Sequence, residues 1–267
     1  MARLSGYGGA LYAAPQVVDA AEVIWSDGDV TAVAALDTTD YKVGTASARV
    51  DTVATGATTR LMFEDFAALN LTGYTKILCW IKSSVVQALG DCQFLLDDVG
   101  GSVVPTVEQI DIPVLVANVW KFCSLTIAVP AACGAIISCG LYQVVNLADM
   151  SMWIDAIDAA RTTVGIREWS MDIGAEVVDS SGFSDGRNKV FTPVQTEWGG
   201  SFNGFKDGAP LAIGTVMGME LQESAVATEM WRGSIVITNL APASSVDGLV
   251  TYNYTFQGIH ALEWPTT

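Results

Sequence analysis

Three observations predict an all-β fold. Between about residues 17 and 160, short apolar runs alternate with Gly, Asn, Asp and Ser, at the spacing of a β-sandwich. After Thr163 the runs lengthen and alternate strictly between apolar and polar residues, as in an antiparallel sheet with one face packed and the other wet. Helical periodicity of any length is missing; only Phe66 to Leu69 and Ser84 to Leu89 are candidate helical turns.

Residues 1 to 14 read as a short strand with Ala10, Leu11 and Tyr12 in the core, a turn at Gly6, Gly8 and Gly9 before it, and Pro15 ending it. The middle runs are Glu22 to Ser26, Val30 to Leu36, Ser47 to Val53, Thr59 to Phe63, Lys76 to Lys82 and Gln93 to Asp97. Glu108 to Leu115, Trp120 to Val129, Ile136 to Val145 and Ser151 to Ile157 follow. The last third offers Gly165 to Val177, Val194 to Phe205, Thr215 to Gln222, Thr228 to Asn239 and Leu249 to Gly258. In the first of these, Trp169, Met171, Ile173, Ala175 and Val177 point one way while Glu168, Ser170, Asp172, Gly174 and Glu176 point the other. In the last, Tyr252, Tyr254 and Phe256 share a face, and Asp247-Gly248 reads as the tight turn that feeds it.

Composition narrows the function. With 29 acidic against 13 basic residues the net charge is −16, which excludes a protein that grips nucleic acid by its phosphates. A surface past which DNA slides without sticking remains compatible. No apolar run approaches the roughly 20 residues of a membrane helix, and the first residues lack the apolar core of a signal peptide, so assembly in a cytoplasm is expected. Cys79, Cys92, Cys123, Cys133 and Cys139 are odd in number and form no Cys-x-x-Cys pair; free, mostly buried thiols are expected.

Catalytic constellations are scarce. His260 is the one histidine, which excludes a multi-histidine metal site and any triad built on a travelling Ser-His-Asp set. Glu64-Asp65 and Asp97-Asp98 are neighbours in strands, so the members of each pair face opposite ways and do not make a glycosidase dyad. No phosphate-cradling Gly loop precedes a helix. An enzyme is not expected.

Several phrases carry a resemblance. Gly165-Ile-Arg-Glu-Trp169, Asp179 to Phe183, Phe191-Thr-Pro193, Trp198-Gly-Gly-Ser-Phe-Asn-Gly-Phe-Lys-Asp-Gly208, Trp231-Arg-Gly-Ser234 and Asp247-Gly-Leu-Val-Thr-Tyr252 stand in an order that resembles the major tail tube proteins of long-tailed bacteriophages. A second set, Tyr41 to Val50, Leu71 to Lys82, Trp120 to Leu125 and Met152 to Ile157, is similar to jelly-roll modules of the carbohydrate-binding kind. Together they imply a discontinuous tail-tube-type β-sandwich or barrel, residues 1 to 14 plus 164 to 267, carrying an inserted jelly-roll β-sandwich at residues 15 to 163. Both parts are acidic, 12 acids against 6 bases in the first and 17 against 7 in the second.

The tail-tube resemblance implies a virion tail protein assembled in the host cytoplasm, whose copies join edge to edge into a hexameric ring. Rings stack into a tube that conducts DNA without binding it specifically, with a tape-measure protein and a tail terminator as partners and no membrane. Glu168, Asp172, Glu176 and Glu220 are the candidate bore lining, against a merely solvated sheet face. Asp179, Phe183, Arg187 and Phe191 belong to a loop from Val178 to Pro193 that is a candidate inter-subunit arm, against a plain mobile loop. The insert then lies outward and contacts host-surface glycans or protects the tail. Head or tail decoration, a connector, and a stand-alone carbohydrate-binding protein remain as alternatives.

The jelly-roll resemblance further implies a structural calcium held by Asp155 with Glu22, against an Asp that is merely hydrogen-bonded. For sugar stacking, Trp25, Trp80, Trp120, Trp153 and Tyr142 are available, with Trp80 and Trp153 expected in the core.

Overall fold

A computed structural model describes residues 8–29, 31–52, 59–147, 149–163, 166–179, 189, 191–205, 210–223, 230–244, 250–259 and 262–264. The chain divides into two compact units, Met1–Leu11 with Thr163–Thr267, and Tyr12–Thr162. Both are antiparallel β. Among the described residues the only helical element is a single 3-10 turn at Pro130–Ala132.

The strands of the Tyr12–Thr162 unit form two sheets. In the first, β11 (Met150–Thr163) runs antiparallel to β4 (Ser47–Thr52) on one side and β6 (Lys76–Ser83) on the other, with β3 (Ala32–Asp37) outside β4 and β9 (Lys121–Thr126) outside β6. The second has the order β2 (Ser26–Asp27), β5 (Thr59–Leu69), β10 (Ile136–Gln143), β7 (Cys92–Asp97) and β8 (Glu108–Asp111). Alternation decides what lies between them. Ala48, Val50, Ile77, Cys79, Ile81, Met152 and Ile154 of the first sheet meet Leu61, Phe94, Leu96, Cys139 and Leu141 of the second in one core.

In the other unit the order is β12 (Ile166–Asp179), β13 (Phe191–Phe205), β16 (Val250–Gly258), β15 (Met230–Ser244) and β14 (Val216–Gln222); β1 (Gly8–Asp19), whose residues from Tyr12 on belong to the Tyr12–Thr162 unit, follows β14 in the strand order. One face buries Trp198, Phe202, Met217, Met219, Ile235, Ile237, Tyr254 and Phe256. Phe202 and Tyr254 stack with ring centroids 4.9 Å apart, the kind of cross-strand aromatic pair that pins register.

Three local expectations are corrected. Pro15 does not end the first strand, since β1 continues to Asp19. A proline removes only its own N–H, which costs nothing where that N–H would point away from a neighbouring strand. Phe66 to Leu69 is the end of β5, paired through Leu69 with Ile136, because cross-strand pairing overrides the helix preference of a short Ala-Ala run. Ser84 to Leu89 is a loop, tied down by mutual backbone hydrogen bonds of 3.1 Å between Gln87 and Leu115.

Candidate functional site

Strand register assembles a polar face on the Thr163–Thr267 unit. Glu168 faces Asn203, which faces Asn253; Ser170 faces Ser201, which faces Thr255; Asp172 faces Gly199, which faces Gln257. Gln257 in turn faces Val236, and Val236 faces Val216. Because side chains alternate along a strand, the face holding Asp172 also holds Glu220, an even step along β14 from Val216, and Arg232 opposite it. Three of the four acids expected to line a bore thus share one sheet face. Glu176 lies in β12 opposite Gln195, and its side chain is outside the described residues.

Their electrostatics differ. Glu168 and Asp172 are exposed, and Glu168 accepts a hydrogen bond from Asn203 Nδ2 at 3.0 Å. Among the described residues neither has a cation within ion-pair distance. Glu220 is compensated, since Arg232 Nε donates to its Oε1 at 2.9 Å while Arg232 Nη1 also lies 3.7 Å from Glu263. Glu197 joins the acidic group, its Cγ 3.9 Å from where a Cβ on Gly174 would stand. The sequence held a signal for it, because the alternation of Val194 to Phe205 sets Glu197 on the side of Ser201 and Asn203.

The paired part of the β12–β13 hairpin outruns its neighbour. β16 accompanies β13 only from Gly199 to Phe205, whereas β12 follows it to the Asp179–Phe191 pair. The expected loop from Val178 to Pro193 is therefore strand at both ends. Asp179 ion-pairs with Lys189 at 3.2 Å. Phe183 and Arg187 lie outside the described residues, as does the side chain of Phe191. β12 has β13 on one side and, among the described residues, no strand on the other.

In the Tyr12–Thr162 unit, two carboxylates clamp one turn. Lys42 and Val43 donate their N–H groups to Asp155 Oδ2 at 2.6 and 2.9 Å. Thr45 donates its N–H to Glu22 Oε1 at 2.8 Å and its hydroxyl to Oε2 at 3.1 Å. Between them Gly44 sits at φ +71°, and a Cβ there would fall 1.6 Å from Glu22 Oε1, so only glycine fits. Burial pushes the Asp155 carboxyl up, the backbone N–H groups pull it down, and Glu22 pushes it up again. Asp155 is fully buried, and its Oδ1 has no hydrogen-bond partner. An unspent buried oxygen beside a second carboxylate fits a hard, oxygen-seeking cation such as Ca2+, which would offset the repulsion of the two charges. Asp155 and Glu22 would hold it. Further oxygens would come from main-chain carbonyls or water, since no cluster of three or more acidic, His or Cys side chains suited to a metal occurs among the described residues.

The aromatic side chains are mostly spent on structure. Trp25 lies in the core. Trp80 and Trp153 are buried, as expected, though on the opposite face of their sheet from the inter-sheet core. Cations cover both rings, with Lys82 Nζ 4.2 Å from the Trp153 ring and Lys42 Nζ 5.5 Å from that of Trp80. Trp153 Nε1 donates to Asp37 Oδ2 at 2.9 Å and Trp120 Nε1 to Asp40 Oδ1 at 2.6 Å. Burial pushes the Asp37 carboxyl up, but hydrogen bonds from Trp153 and Thr39 outweigh it and hold the group well below its usual range. Tyr142, on β10, is half-buried. His260 lies outside the described residues.

No family model matches the chain, and no curated protein matches it. Among solved structures, it is similar to the tail of an empty GTA particle refined with helical C6 symmetry, at 18% identity over 40% of this chain and 87% of that one, with a TM-score of 0.32. It is also similar to the family 11 carbohydrate-binding module of the cellulosomal cellulase Lic26A-Cel5E of Clostridium thermocellum, at 12% identity over 57% of this chain and 96% of that one, with a TM-score of 0.41. No helix among the described residues is long and apolar enough to cross a membrane.

Proposed function

We propose that the chain is a structural virion subunit of a phage tail tube, not an enzyme, whose copies join rim to rim into stacked, hexameric rings that conduct DNA. The observation that carries this reading is that β12, a long strand open on one side among the described residues, also bears an exposed acidic face. An open edge with unpaired N–H and C=O groups is a liability for a monomer, and ring closure satisfies it by pairing with the next copy. Glu168, Asp172 and Glu197, with Glu176 in the same strand as Glu168, then line the bore and repel phosphate. Glu220 contributes less, because Arg232 neutralises it. The Tyr12–Thr162 unit serves as the accessory domain.

Electron microscopy of the purified full-length protein tests this. Tubes or stacked rings are the expected result. Monomers that retain polysaccharide would replace the reading with a carbohydrate-binding protein, and attachment confined to capsids would replace it with a decoration protein.

A further inference from the structure

Two thiols meet inside the Tyr12–Thr162 unit. Cys79 on β6 and Cys123 on β9 are direct partners across the antiparallel ladder, and both side chains enter the core. The Ile127 N–H donates to Thr75 O at 3.1 Å, which extends the same register by one pair and marks 75/127 as hydrogen-bonded. Pairs alternate in type, so 77/125 and 79/123 are also hydrogen-bonded pairs, with Cα atoms about 5.5 Å apart. That separation lies within the roughly 4.4–6.8 Å span of disulfides. Burial pushes the Cys79 thiol up and Cys123 beside it pushes it further, while the Cys123 thiol donates to Lys121 O of its own strand at 3.7 Å. Cys139 approaches from the facing sheet and is not their ladder partner, while Cys133 donates its thiol to Val129 O beside the 3-10 turn.

We propose that Cys79 and Cys123 are a cross-strand redox pair that closes to a disulfide when a two-electron oxidant, a small disulfide or an azodicarboxamide, replaces reducing conditions. With the azodicarboxamide, one thiolate adds to the N=N bond. The second thiolate then attacks that sulfur, the S–S bond forms, and the nitrogen pair leaves as the hydrazine, having taken two electrons and two protons. β6 is the one strand that β9 pairs with among the described residues, so fraying of this edge frees both sulfurs together. Burial keeps Cys79 protonated in the closed state, and oxidation therefore waits on opening. The closed disulfide ties an edge strand to its neighbour around the segment that holds β7 and β8.

The test uses the folded full-length protein with diamide, followed by alkylation, digestion and mass spectrometry. Trypsin releases Ile77 to Lys82, which carries Cys79 alone, whereas residues 122–161 carry Cys123, Cys133 and Cys139, so fragmentation assigns the partner. The expected product links Cys79 to Cys123 in most chains, unfolds several degrees higher than the reduced protein, and reverts with dithiothreitol. Its formation rate should level off as diamide increases. Cys139→Ala should leave the link intact, and Cys123→Ala, checked for fold by circular dichroism, should abolish it. Predominant linkage of Cys79 to any other cysteine, or less than a tenth of folded chains linked after prolonged exposure, would overturn the proposal.

Discussion

Trp198 packs flat against the backbone of Gly258, so closely that a Cβ on that glycine would stand 2.0 Å from the indole Cε2. The indole also meets Phe256 edge to face with centroids 6.3 Å apart, which blocks its retreat on that side. Gly258→Ala should therefore destabilise the Thr163–Thr267 unit by about 2–3 kcal/mol, the cost of overpacking a filled core. Urea denaturation followed by tryptophan fluorescence checks this. An unchanged midpoint would mean that the sheet yields at this point.

Much of this packing was legible beforehand, and the reasons can be traced to particular residues. Tyr254 and Phe256 alternate with Asn253 and Thr255, so their burial follows from the two-residue period alone. The ion pair of Glu220 with Arg232 was not legible, because it depends on which strand lies beside which, and register between distant segments leaves no local mark. Trp80 and Trp153 show the same limit from the other side. An indole is usually taken as core, but here residues 37–42 supply Asp37, Asp40 and Lys42 that cover the outer face, and no period in the sequence announces that cover.

Asp158 offers a pH test. It pairs with Leu78 just after the irregularity between Asp155 and Asp158 in the β11–β6 ladder, and burial pushes its pKa up to about 6. The folded chain then binds a proton more tightly than the unfolded chain. The stability from this group is complete below about pH 4 and is lost as pH rises through 6. Asp158→Asn should raise stability by about 1–2 kcal/mol at pH 8 and much less at pH 4.5. Chemical denaturation of both proteins at the two pH values measures the difference, and equal gains at both would contradict a buried, titrating carboxyl.

Asp155 anchors the turn at Lys42 and Val43 through two half-buried main-chain N–H groups. Asp155→Ala leaves both donors unsatisfied and should cost about 2–4 kcal/mol. If the free Oδ1 and Glu22 hold Ca2+, millimolar calcium should raise the melting midpoint of the parent protein, a chelator should reverse it, and Glu22→Gln should blunt it. A midpoint that ignores calcium would reduce the pair to a clamp for the turn.

The exposed acids carry the functional prediction. Glu168 and Asp172 are solvent-exposed, so Glu168→Lys with Asp172→Lys should change folding stability by less than about 1 kcal/mol. In the proposed tube, lysine would turn a repelling face into one that holds phosphate, and repetition around the ring would multiply the effect. Particles built from the double variant should release DNA at least tenfold more slowly at low salt. Contacts to phosphate weaken steeply as salt rises, so release should recover towards the parent rate at high salt. Ejection that is unimpaired at low salt would remove these two residues from the proposed bore. Impairment that salt does not relieve would point to damaged assembly, which electron microscopy of the same particles would show directly.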